Sequence, residues 1–68
     1  MDELDIFIAV VENKGFSSAA NALDLTTASV SRRIKSLESR LGVRLLQRTS
    51  RTISLTEAGQ YYYDEVKK

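Results

Sequence analysis

Apolar positions along the chain change spacing several times, and each change marks an element. Leu4, Phe7, Ile8 and Val11 recur at i, i+3, i+4 and i+7, the spacing of a helix with one apolar face. Ile6 and Val10 widen that face. A helix over residues 2–14 follows. Asp2, Glu3 and Asp5 suit the positive end of its dipole, and Lys14 with Gly15 suits its stop. Ser17 then offers an N-cap, with Phe16 just outside it as a staple partner. Ala19, Ala20, Ala22 and Leu23 predict a short helix with small side chains that admit a close neighbour. Asp24 and Leu25 form a turn, and Thr26 or Thr27 caps a third helix.

The third helix carries Val30, Ile34, Leu37 and Leu41 at i, i+4, i+7 and i+11, a narrow stripe at about 100° per residue. Gly42 suits its end. Two short strands follow by alternation, over 44–47 and 52–55, with Ile53 and Leu55 opposed to Thr52 and Ser54. Residues 48–51, Arg-Thr-Ser-Arg, have the size of a hairpin tip. Thr56 caps a last helix, with Ala58, Tyr62 and Val66 on one side. The expected fold is mainly α: a winged helix-turn-helix with a three-helix core, a short β-hairpin wing and a C-terminal linker helix. Residues 1–56 make the winged unit, and 57–68 begin a linker or dimerisation helix.

Sixty-eight residues allow one small core. There is no cysteine and no histidine, which leaves no disulfide, none of the usual zinc sites and no His-based catalysis. No metal and no cofactor is expected. Ser17, Ser29 and Ser31 have no histidine to activate them, and the acids near the start are explained by the helix dipole. Lys35 and Glu38, at i and i+3, read as a surface pair. An enzyme is therefore not expected. The longest apolar run, residues 6–11, is too short to span a membrane or to form a signal-peptide core. A cytoplasmic location is expected.

The net charge of +1 hides a separation along the chain. Residues 32–51 hold seven basic side chains (Arg32, Arg33, Lys35, Arg40, Arg44, Arg48, Arg51) against Glu38 alone. The flanking segments are net acidic. One basic face meeting a polyanion accounts for this. The two helical patterns over residues 16–34 then read as a helix-turn-helix, with an ordinary helical hairpin as the alternative. On the exposed side of the third helix, Thr27, Ala28, Ser31, Arg32 and Lys35 are short first and basic later. Short residues let a helix enter a major groove by its N-terminal end, and Arg can take guanine O6 and N7 together. Arg48 and Arg51 flank the wing tip, where Arg can enter a narrow minor groove. Tyr61, Tyr62 and Tyr63 point in different directions. Tyr61 or Tyr63 must be exposed or meet a partner, which favours dimerisation through the last helix.

Several blocks in one order resemble the N-terminal domain of LysR-type transcriptional regulators. They are the run from Ala28 through Arg32, Leu37-Glu38, the run from Leu41 through Leu46, Arg48-Thr49, and the run from Leu55 through Gly59. The resemblance covers essentially the whole chain. It implies double-stranded DNA as partner, read at an interrupted palindrome by a homodimer joined through its linker helices. Carried over by position, the DNA-reading residues are Thr27, Ala28, Ser29, Ser31 and Arg32, with Arg51 in the minor groove. Arg48 and Lys35 suit phosphates, and Ser17 caps a helix whose N-terminus faces one. The dimerisation face would hold Ala58, Tyr61, Tyr62 and Val66. Two positions depart from the family pattern. Thr27 stands where Gln is frequent and cannot bond adenine in bidentate fashion. Asp24 stands where glycine is common in the turn. The family's second domain, which takes a small-molecule effector, has no counterpart in these residues. A separated DNA-binding domain or a truncated chain is expected, and the abrupt end in the last helix favours truncation.

Overall fold

The computed structural model describes residues 2–48 and 53–67. The order is α1 (Glu3–Asn13), α2 (Phe16–Leu23), α3 (Thr27–Leu41), β1 (Leu46–Arg48), β2 (Ile53–Leu55) and α4 (Glu57–Val66). It is the expected mainly helical winged arrangement. The core holds Ile6, Phe7, Val10, Ala19, Ala20, Val30, Ile34, Leu37, Leu45 and Leu46, all essentially out of solvent. On α1 the residues that widen the apolar stripe, Ile6 and Val10, are buried with Phe7, while Leu4, Ile8 and Val11 are half-buried. The helix is covered by α2, α3 and β2 together, so its buried arc is broader than one stripe.

The turns between the helices share one device. Lys14 and Asp24 both take the left-handed conformation, with φ of 58° and 60°. After α1, the Gly15 N–H donates to Val10 O and the Lys14 N–H to Val11 O. After α2, the Leu25 N–H donates to Ala20 O and the Asp24 N–H to Asn21 O. These are paired Schellman bonds, which satisfy the last carbonyls of a helix while the chain reverses. Asp24 thus takes up the backbone that glycine commonly supplies. Gly42, with φ of 74°, ends α3 by one bond from its N–H to Glu38 O.

Three expectations are corrected. Ser17 is not the N-cap of α2: the helix begins at Phe16, its N-cap is Gly15, and no side chain caps it. Gly15 both closes the Schellman turn of α1 and is the N-cap of α2, so only Lys14 and Gly15 lie between the two helices. Lys35 and Glu38 do not pair, because Glu38 Oε2 accepts the Leu45 and Leu46 N–H groups at 2.7 and 3.2 Å. Strand β1 starts at Leu46 rather than at residue 44, since the carbonyls of Arg44 and Leu45 are taken by the Thr56 hydroxyl and the Thr56 N–H. The strands are antiparallel, with Leu46 opposite Leu55, Gln47 opposite Ser54 and Arg48 opposite Ile53.

α4 crosses this junction. Thr56 caps it, its hydroxyl accepting the Gly59 N–H at 2.9 Å. Gly59 lies against the backbone of Leu45, and a Cβ there would overlap the Leu45 carbonyl. At its far end α4 is tied to α1. Lys67 Nζ lies 3.1 Å from Glu12 Oε2, and the Tyr63 hydroxyl donates to the same oxygen at 3.3 Å. The Lys67 ammonium, through its hydrogen bond and its charge, holds the Glu12 carboxyl below its ordinary pKa, and Glu12 raises that of Lys67 in return.

Gly59→Ala is expected to destabilise the domain by about 1–3 kcal/mol through overpacking, although alanine favours a helix. Urea unfolding measures this, and a variant as stable as the parent contradicts the close approach. The Glu12 tie contributes above the ordinary carboxylate pKa and fades as pH falls through the lowered folded value. The Lys67 side contributes below the ordinary lysine pKa and fades as pH rises through the raised one. An NMR titration of Glu12 should therefore show a midpoint below that of a free glutamate, moving up in Lys67→Ala.

Candidate nucleic-acid interface

The candidate surface is built on α3. Its inner stripe, Val30, Ile34 and Leu37, is buried against the core with Leu41 half-buried. This burial turns Thr27, Ala28, Arg32 and Lys35 to solvent, while Ser29 and Ser31 are half-buried. Thr26 fixes where the helix begins: its Oγ1 accepts the Ser29 N–H at 3.0 Å. No acid stands in the first turn, so the positive end of the dipole is not countered there. Arg32 and Lys35 extend the positive field along the same face, and no ion pair among the described residues neutralises either.

The acids near α3 are occupied elsewhere. Glu38, the lone acid of the helix, faces the backbone of Leu45 and Leu46. Glu3 of α1 lies 2.7 Å from Arg40 Nη1, as a close ion pair without hydrogen-bond alignment. Arg40 is thereby held toward α1, away from the exposed face. Arg33, on the same side, borders concavities with Asp2 and Glu3.

The start of α2 joins this surface. Ser17, Ser18 and Asn21 line an open groove with Leu25, Thr26 and Thr27. Ser17 and Thr27, ten positions apart in the chain, thus border one concavity between two helix N-termini. The first turn of α2 also lacks acids. Oriented N–H groups at two helix starts, without competing carboxylates, suit a phosphate oxygen.

The hairpin lies beyond the C-terminal end of α3. Arg44 is exposed at its root, and Arg48 closes β1 opposite Ile53. Arg51 lies outside the described residues. Glu38 is the residue that reading the chain missed. Its signal was present: one acid placed within a run of seven basic side chains.

Of the positions expected in dimerisation, Ala58 and Tyr62 are half-buried and pack against the domain's own core. Val66 is half-buried. Tyr61 keeps 63% of its surface exposed and meets Tyr62 edge-on, with centroids 5.6 Å apart. Tyr63 is directed to Glu12.

The family model for the bacterial regulatory helix-turn-helix protein, lysR family, matches residues 1–60. A transcriptional regulator of the helix-turn-helix type from Xanthomonas campestris pv. campestris (strain 8004) is 51% identical over 63 residues, covering 93% of this chain and 18% of that protein. The regulator CrgA of Neisseria meningitidis serogroup C (strain 8013) is 46% identical over 67 residues, covering 98% of this chain and 22% of its own length. The chain thus spans about a fifth of the length of these curated relatives. Among solved structures, the BenM_DBD/catB site 1 DNA complex superposes with a TM-score of 0.89 at 40% identity, covering 93% of this chain and 68% of that one.

The caps give a direct test. Thr26→Ala is expected to lower stability by about 1 kcal/mol, the usual worth of an N-cap. Ser17→Ala should change stability little, because no helix-capping bond is lost. Denaturant midpoints check both, and equal losses would contradict the assignment of Gly15 as the N-cap.

Proposed function

We propose, for a chain that belongs to the lysR family of bacterial regulatory helix-turn-helix proteins, that it binds double-stranded DNA in a sequence-specific manner. It acts as the DNA-reading part of a transcriptional regulator. α3 enters the major groove by its N-terminal half, where Thr27, Ala28, Ser29, Ser31 and Arg32 reach base edges. Lys35 and Arg48 meet phosphates, Ser17 and the start of α2 receive another, and Arg51 enters the minor groove. Residues 1–56 form the binding unit and 57–68 begin the linker helix. Two copies join through α4, using Ala58, Tyr61, Tyr62 and Val66, and read an interrupted palindrome. Any small-molecule effector acts through a further domain. The protein works in the bacterial cytoplasm. No helix among the described residues is long and apolar enough to cross a membrane. The relatives are transcriptional regulators, and no enzymatic step is assigned.

The observation that carries this reading is the exposed face of α3. It is short at its start and basic farther on, and it projects no acid, because Glu38 is bonded to the chain itself. An ordinary solvated helix face has no reason to exclude acids. In this geometry Thr27 offers one hydroxyl where a longer amide would offer two groups, so adenine readout there is restricted to single bonds or methyl contacts.

Titrating duplex DNA at several salt concentrations should give affinity falling linearly on logarithmic axes. A flat response would sink the proposal. Arg32→Ala is expected to cost about 1–3 kcal/mol and to relax preference at one base position. A loss equal across all sequences would make Arg32 a phosphate contact instead. Amide shifts on adding DNA should gather on α3 from Thr27 to Lys35 and on the hairpin, whereas shifts confined to α4 would favour a protein partner.

A further inference from the structure

Glu38 is out of place by charge alone. It is the lone acid of α3 and of the basic run over residues 32–51. A carboxylate in such a run repels phosphate, so charge alone disfavours it at a DNA-binding surface. Its geometry supplies another reason for it. Oε2 accepts two successive backbone N–H groups, Leu45 at 2.7 Å and Leu46 at 3.2 Å, in a part-buried setting. These amides form the root of β1, and the same strand ends at Arg48. The facing carbonyls, Arg44 O and Leu45 O, are held by Thr56. The hairpin has only three residues in each described strand, so its direction is set at this root.

We propose that Glu38 is a positioning residue for DNA binding. It fixes the angle of the hairpin to α3 and so sets where Arg48 meets the phosphate backbone while α3 lies in the groove. The inference rests on the DNA-binding reading above and adds a residue that does not touch DNA.

Two conservative variants separate reach from charge. Glu38→Asp keeps the charge and withdraws the acceptor by one methylene. Glu38→Gln removes the charge and keeps an oxygen at full reach. Both are compared with wild type, with Arg48→Ala and with the Glu38→Asp/Arg48→Ala double variant. Affinity for a mixed-sequence duplex is followed by fluorescence anisotropy across a salt series. Amide spectra verify folding and report Leu45 and Leu46 directly. Glu38→Asp should weaken binding on the order of tenfold and lower the salt slope by about 1, as for a lost phosphate contact. Its Leu45 and Leu46 amides should move upfield, and Arg48→Ala should then add little. Glu38→Gln should bind nearly as tightly as wild type or more tightly. The proposal is overturned if Glu38→Asp binds like wild type, if the Asp and Arg48→Ala losses multiply, or if Glu38→Gln weakens binding as much as Asp does. Absence of salt-dependent binding by the wild-type chain overturns the DNA-binding reading itself, a result that needs none of the variants.

Discussion

The peptide groups of Leu45 are where α3, the hairpin and α4 are joined. Its N–H is taken by Glu38 from α3, its carbonyl accepts the Thr56 N–H at the start of α4, and Gly59 of α4 lies against that same carbonyl. The Leu45 side chain is fully buried in the core. One residue thus places the wing and the last helix relative to the recognition helix. Hydrogen bonds to a charged acceptor are worth about 1.5–3 kcal/mol each, and an amide left unpaired there costs a comparable amount. In a domain this small such terms are a large fraction of total stability.

Economy of chain explains the rest of the helical body. α1, α2 and α3 are separated by very few residues, and each of the first two turns relies on a left-handed residue with paired bonds back into the preceding helix. Ala19 and Ala20, both buried, let α2 lie close to its neighbours. Ser17 and Ser18 in the first turn of α2 border one groove with Thr26 and Thr27 at the start of α3.

The electrostatic arrangement follows from packing as much as from composition. Three acids are assigned to distinct tasks away from the exposed face of α3: Glu3 to Arg40, Glu12 to Lys67 and Tyr63, and Glu38 to the root of β1. Lys67 and Glu12 are both about half exposed and Arg40 is exposed beside a more buried Glu3, so solvent screens both pairs and their worth to stability is small. Their effect on the field is larger in kind. They withdraw Arg40 toward α1 and leave Arg32, Arg33 and Lys35 of α3 without an ion-pair partner among the described residues. A modest net charge thereby becomes a directional one.

Element identity was legible in the chain because its causes are local. Helical periodicity, the Thr56 cap, a cap at Thr26 or Thr27, and the stop at Gly42 all act within about one turn of helix, so residue order alone makes them legible. The exposed face of α3 followed from the same arithmetic, since burying Val30, Ile34 and Leu37 leaves Ala28, Arg32 and Lys35 outside. Tertiary structure decided what depends on the chain's return. Whether Ser17 or Gly15 caps α2 turned on how the end of α1 closes. Whether Glu38 meets Lys35 or the root of β1 turned on where the residues after Gly42 come back. Tyr62 and Tyr63 were divided from Tyr61 by the path of α4 across Leu45. Spacing along a helix fixes which residues share a face; only packing fixes what that face meets, because a carboxylate or an amide takes the partner that burial brings to it.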